Sequence, residues 1–153
     1  MLEFFIIFII ILIDQVSKYL AVTCLKPIGS LTILKKVFSL TYVENRGAAF
    51  GILQNQRWFF ITLTIIICIA IAYFLIIGRD ESLILRISLS MILGGAIGNL
   101  IDRIKQGYVV DMFHFTFIDF PVFNVADCFI VIGTVLLGYY ILFMAEKEGK
   151  LIV

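Results

Sequence analysis

Asp111 and Asp127 sit in apolar company with no lysine or arginine beside them. Two carboxylates brought together in such surroundings cannot both ionise easily, so they share a proton. One then acts as a base towards water and the other as an acid towards a carbonyl oxygen. That pair can hydrolyse a peptide bond without a metal or a covalent nucleophile. Both residues belong to the run from Gly94 to Asp127, GGAIGNLIDRIKQGYVVDMFHFTFIDFPVFNVAD, which also carries Asn99, Asp102, Arg103, Asp119 and Asn124. Polar groups concentrated in an otherwise apolar chain are expensive and usually functional.

The remaining aspartates read differently. Asp14 precedes Lys18 by four residues, the spacing of an ion pair on one helix face. Asp102 has Arg103 as its neighbour, and Asp119 lies in Phe-Ile-Asp-Phe-Pro, the composition of an exposed loop. Asn124 stands where it could simply cap a helix. His114 and Cys128 raise a cysteine–histidine nucleophile, but adjacent helical residues point about 100° apart. Cys128 is therefore expected to face away from a site that Asp127 faces, and His114 reads as an interfacial loop residue. A divalent metal held by several carboxylates is the more serious rival. Cys24, Cys68 and Cys128 show no metal-ligand spacing and read as small core residues.

The elements that must position these groups are apolar helices. The 153 residues are 62% hydrophobic and only 15% charged, far from the balance of a soluble domain. A net charge of +1 gives no basic field for nucleic acid. Four segments, about 2–24, 58–78, 83–104 and 121–145, reach the roughly 20 residues needed to cross a bilayer. Glu3 is the one early charge and no small-residue cleavage site follows, so the first segment is expected to stay as a span. Arg86, near the start of the third, is expected to snorkel to the interface. The fourth is expected to open at Pro121, a tolerated first helical residue.

Four spans put the loops 25–57 and 105–120 on one face and both termini on the other. The polar ends of helices 1, 3 and 4 and the Asn45–Gly51 turn then converge on the loop-rich face. Within the first loop, Ser30 to Glu44 is β-branched and aromatic with Lys35-Lys36 as its turn, which predicts a hairpin. Gly94-x-x-x-Gly98 permits close helix approach. Lysines and arginines are more numerous on the loop-rich face, and a literal count would place that face in the cytoplasm.

Five blocks occur in order: Asp14-Gln15-x-x-Lys18, Asn45-x-Gly47-Ala48-Ala49-Phe50, Gly98-Asn99-x-x-Asp102-Arg103, Val110-Asp111 and Phe123-Asn124-x-Ala126-Asp127. On these the chain resembles the lipoprotein signal peptidase family, the bacterial type II signal peptidases, over essentially its full length. Met112 departs from the family, where an aromatic residue is common after the aspartate. Basic residues before helix 1 are also missing.

The resemblance implies a mainly α membrane fold: one integral-membrane peptidase domain over 1–153, with four transmembrane helices. A small extracytoplasmic β-cradle and a short interfacial helix would lie between helices 1 and 2. It implies an aspartic endopeptidase that removes the signal peptide of a prolipoprotein, cutting before the diacylglyceryl-modified cysteine. Asp111 and Asp127 would be the catalytic pair. Asn45, Gly47, Asn99, Asp102, Arg103, Asn124, Asp14 and Lys18 would position substrate and carboxylates. No cofactor or metal is implied. The partners implied are the lipid-modified prolipoprotein, membrane lipid and cyclic peptide antibiotics. The implied location is the bacterial cytoplasmic (inner) membrane with the site at the extracytoplasmic face, against the charge count. An ion-pathway protein, a metal-dependent lipid-headgroup enzyme and a purely structural membrane module are the competing classes.

Overall fold

Uninterrupted runs of Ile, Leu and Phe between sparse charges fold as long helices, because only an internally hydrogen-bonded backbone is stable in hydrocarbon. The computed structural model describes residues 1–47, 52–78 and 81–145. Its elements are α1 (Leu2–Leu20), β1 (Ser30–Leu34), β2 (Phe38–Asn45), α2 (Arg57–Ile77), α3 (Leu83–Lys105), β3 (Val109–Phe115) and α4 (Val125–Phe143). A π-helical turn, Ala21–Leu25, continues α1. All four helices, α1 together with that turn, are long and apolar enough to cross a membrane.

Helix α3 is central, packing against α1, α2 and α4. Its small residues set those distances. A Cβ on Gly95 would lie 2.5 Å from the carbonyl oxygen of Ala126 on α4, and one on Gly98 would lie 2.5 Å from Asp14 Oδ2 on α1. The first contact brings two backbones together, and the second makes room for a carboxylate between helices. Helix α2 buries only Ile61 among its residues and turns nearly all of its apolar surface outward. That much exposed hydrocarbon suits lipid and not water. At the other end of the bundle, Arg86 does not simply snorkel. It is ion-paired with Glu3, tying the start of α3 to the start of α1.

The predicted hairpin is β1 and β2, with Lys36 in the left-handed region (φ 63°) at its turn. The stretch expected to be a plain loop, 105–120, instead contributes β3, which pairs antiparallel with β2 and completes a three-stranded sheet in the order β1-β2-β3. Strand alternation then sorts β3 by face. Val110 and Met112 are buried against Ala21 and Leu25, so the departure at Met112 fills a small apolar core beneath the sheet. Val109, Asp111 and Phe115 face a cavity on the other side. The fourth helix does not open at Pro121. Phe123 bridges to Phe113 in extended form, and the helix begins after Asn124. The interfacial helix expected after β2 falls largely on 48–51, outside the described residues, and 52–55 form turns.

Candidate active site

The site is built from the start of α4 outward. Asn124 is the N-cap of that helix. Its side-chain oxygen accepts from the Asp127 backbone N–H at 3.0 Å, while Asp127 Oδ2 accepts from the Asn124 backbone N–H at 3.2 Å. This reciprocal box satisfies two N–H groups that a helix start leaves unpaired. It also fixes the Asn124 amide, whose nitrogen must point the other way. That nitrogen donates to Asp111 Oδ1 at 2.6 Å and to Asn99 Oδ1 at 3.2 Å. The capping reading of Asn124 is borne out, and the same cap aims its amide at Asp111.

Asp111 arrives from β3, where it pairs with Val43, while Asn45 at the end of β2 pairs with Val109. Diagonal neighbours across an antiparallel ladder are within side-chain reach. Asn45 Nδ2 accordingly donates to Asp111 Oδ2 at 3.0 Å, and Asn45 Oδ1 accepts from the Gly47 N–H at 3.0 Å. Asp127 Oδ1 accepts from Asn99 Nδ2 at 2.8 Å. Burial pushes the Asp111 carboxyl up, the nearby Asp127 charge adds to this, and the bonds from Asn45 and Asn124 pull it down, leaving it at about 7.

Beneath this layer lies a second one. Lys18 Nζ is 2.9 Å from Asp14 Oδ2 and 3.2 Å from Asp102 Oδ2, and donates to Asn99 Oδ1 at 2.8 Å. All four residues are buried. The ion pair expected between Asp14 and Lys18 is present, but Asp102 finds its cation in Lys18 and not in the adjacent Arg103. Sequence neighbours on a helix diverge, and here they go to opposite sides. Arg103 lies over the Phe60 ring at 4.9 Å and donates to the Gly47 carbonyl at 3.4 Å. It also borders the cavity that Asp111 and Asp127 line.

Several partners were not signalled by charge pattern. The Ala126 N–H donates to Asp14 Oδ1 at 2.9 Å, and the Val110 N–H donates to Asp102 Oδ2 at 3.1 Å. Thus one buried carboxylate anchors the first turn of α4 and the other anchors β3. Gln15 bridges the two, its nitrogen lying 3.2 Å from Asp14 Oδ2, 3.2 Å from Asp102 Oδ1 and 3.3 Å from the Gly98 carbonyl. The available signal was its place inside Asp14-Gln15-x-x-Lys18.

An open cavity of about 590 Å³ covers the upper layer. Asn45, Asn99, Arg103, Asp111 and Asp127 form its polar floor, and Phe115, Phe120, Phe123, Ile130 and Val131 belong to its apolar wall. Cys128 lines the same cavity, contrary to the expectation that it faces away. His114 is on β3 and not in a loop. It lies 3.4 Å from Thr41 Oγ1 and is not among the cavity residues. Asp119 is exposed in the β3–α4 loop. The floor thus offers two carboxylates joined through one amide network in a largely apolar cleft. The two are near enough for the Asp127 charge to raise the Asp111 carboxyl.

A family model for signal peptidase (SPase) II matches residues 6–143. The chain belongs to the signal peptidase II family. It is 55% identical over 135 residues to a lipoprotein signal peptidase of Caldanaerobacter subterraneus subsp. tengcongensis, spanning 88% of this chain and 91% of that one. It is 45% identical to a lipoprotein signal peptidase of Clostridioides difficile, spanning 97% and 99% of the two chains. A solved bacterial membrane enzyme, determined by the in meso method, superposes with a TM-score of 0.84 at 36% identity, covering 97% of this chain and 91% of that one. Membership makes the protein a peptidase, and its four spanning-length helices match a membrane enzyme in fold.

Proposed function

We propose that the protein is a membrane aspartic endopeptidase that removes the signal peptide from prolipoproteins, cutting just before the diacylglyceryl-modified cysteine. Asp111 and Asp127 are its catalytic residues. The observation that carries this reading is that side-chain amides, and no direct ion pair among the described residues, hold the two carboxylates. Each carboxylate is held by side-chain amides at 2.6–3.0 Å, while the one buried lysine of the layer below is taken by Asp14 and Asp102. A carboxylate neutralised by an ion pair is a poor base. Amide donors also lower proton affinity, but at Asp111 burial outweighs them.

The two aspartates have different roles. Asp127 sits in the first turn of α4, where the helix dipole favours negative charge. Its Asn99 partner is itself polarised by the Lys18 ammonium. Asp111 lies on a strand with no dipole to stabilise it, and its carboxyl titrates at about 7. In this reading Asp127 is the base that takes a proton from the attacking water. Asp111 holds the shared proton and gives it to the carbonyl oxygen as the tetrahedral intermediate forms. The proton taken by Asp127 then passes to the departing amine. Asn45, Asn99 and Asn124 keep both carboxylates in register, and Gly98 makes room for the Asp14 carboxylate beneath them. Arg103 borders the floor from the side, where it can orient substrate carbonyls.

The apolar wall suits the acyl chains of a lipid-bearing substrate, with the scissile bond over the polar floor. In this reading the loop-rich face lies outside the cytoplasm of a bacterial inner membrane. Several of the cations near that face have structural duties. Lys18 is buried, Lys26 and Arg46 pair with Glu44, and Arg57 caps the end of α3 through the carbonyls of Arg103 and Ile104. The test is cleavage of a diacylglyceryl-modified prolipoprotein by the purified protein in bilayers, with the product identified by mass. A new N-terminus at the lipid-bearing cysteine, formed equally well with a strong chelator present, is expected. Cleavage elsewhere, or activity abolished by the chelator, contradicts the reading.

A further inference from the structure

One surface is not used by the site. The Thr116 N–H donates to the Val37 carbonyl at 3.0 Å, which brings the β1–β2 turn and the β3–α4 loop side by side at one tip of the sheet. Ring contacts join the same two segments: Phe115 packs on Phe38 at 5.7 Å and on Phe117 at 5.8 Å. The tip presents a continuous set of exposed apolar side chains, with Leu34 57% and Phe117 59% accessible and Ile33, Val37, Ile118 and Phe120 also exposed. Lys35 and Lys36 rim this patch and are fully on the surface.

The charge around the tip is one-sided. No acidic residue occurs between Gln15 and Val43, and the only one contributed by the other segment is Asp119. At the opposite end of the sheet, Lys26 and Arg46 share Glu44 at 3.0 and 3.2 Å. Lys35 and Lys36 have no such partner among the described residues. Position is also constrained. Helix α1 and its π-helical turn end at Leu25 and β1 starts at Ser30, so the hairpin begins within a few residues of the end of the span. Exposed aromatic and aliphatic side chains with lysines at their rim fit the headgroup region of a bilayer, where the apolar part enters and the ammonium groups meet phosphate.

We propose that this tip docks on the bilayer that holds the helices and that Lys35 and Lys36 select anionic phospholipid headgroups there. Phe120 belongs both to the tip and to the cavity wall, so docking fixes the lip over which a lipid-borne substrate enters. The docking itself requires only that the four helices cross a bilayer, and it stands apart from the assignment of Asp111 and Asp127.

The experiment uses the full chain with a tryptophan reporter at the tip, Phe117→Trp, in a Trp58→Phe background. The protein is reconstituted into mixed bilayers in which either phosphatidylcholine or phosphatidylglycerol carries the brominated chains. Bromine quenches the reporter only if the tip enters the lipid, and comparing the two lipids gives their relative association at that place. The expected result is stronger quenching by brominated phosphatidylglycerol. That preference should fall about thirtyfold on Lys35→Gln with Lys36→Asn, at ~1 kcal/mol for each lysine near an anionic surface. Asparagine tolerates the positive φ of position 36, so the turn is retained. High salt applied to the unsubstituted lysines should remove the same preference. Absence of quenching by either lipid, equal quenching by both, or a preference that survives charge removal or salt would each overturn the proposal.

Discussion

Two pairs of carboxylates lie in adjoining polar layers, and they are held in opposite ways. Asp14 and Asp102 converge on the Lys18 ammonium, take backbone N–H groups from Ala126 and Val110, and are bridged by Gln15. Asp111 and Asp127 meet no ammonium, are held by Asn45, Asn99 and Asn124, and open onto the cavity. A buried ion pair broken on one side leaves an uncompensated charge, so the first pair is expected to govern folding. A carboxylate in an amide cradle can lose or gain a proton without collapse of its surroundings, so the second pair is expected to govern chemistry. Asn99 connects them, since its oxygen accepts a hydrogen bond from the Lys18 ammonium and its nitrogen donates to Asp127.

The largest effect expected below the dyad is on stability. Lys18→Met strands both Asp14 and Asp102 and should lower unfolding stability by about 3–5 kcal/mol, read as loss of folded protein in a thermal scan in lipid or detergent. Full stability in that variant would erase the distinction between the pairs. Gly98→Ala sharpens the same point sterically. The added methyl meets Asp14 Oδ2 at 2.5 Å, and overpacking of this kind costs typically about 1–3 kcal/mol.

Asn45→Ala should act in the other direction. It removes one donor to Asp111, a bond to a charged or chargeable group worth about 1.5–3 kcal/mol. It should therefore lower cleavage by roughly tenfold to a hundredfold with little change in unfolding temperature. An Asn45→Ala protein that unfolds early but cleaves normally when folded would invert the account.

The smallest effect is linked to pH. The folded Asp111 carboxyl is raised to about 7 from an ordinary value of 3.8, so the folded protein binds this proton more tightly than the unfolded chain does. Its contribution to stability is fully present below the unfolded value and is lost as pH rises through about 7. Asp111→Asn, which cannot ionise, should therefore make the protein more stable than its parent above pH 7, by on the order of 1 kcal/mol. Cleavage by the parent should decline over the same rise, because the proton on Asp111 is the one given to the carbonyl oxygen. Thermal scans and rates at a series of pH values check both.

Much of this arrangement was legible before any coordinates. Apolar runs of spanning length located the helices, and an even count of spans forced the polar ends onto one face. The hairpin was legible because its alternation and its Lys35-Lys36 turn are local. Strand β3 was not, since Val109–Phe115 earns its strand character from pairing with β2, far away in sequence. The start of α4 differs from the expected one because Pro121 is a permitted first residue, whereas the cap at Asn124, closed into a box by Asp127, is the stronger signal. Asp102 does have a cation, but it is Lys18 and not the adjacent Arg103. Helical geometry sends Arg103 towards Phe60 and leaves Asp102 to Lys18. A shared counter-ion on another helix leaves no trace in local charge spacing.

Cleavage by the two conservative variants bears most directly on the central claim. Asp111→Asn and Asp127→Asn proteins, each reconstituted and shown by thermal unfolding to be folded, are given a diacylglyceryl-modified prolipoprotein. Each is expected to lose at least about a thousandfold of the parent rate, the scale lost when a member of a catalytic constellation is removed, with its unfolding temperature not lowered. Cleavage near the parent rate by either folded variant would contradict the assignment of these two aspartates.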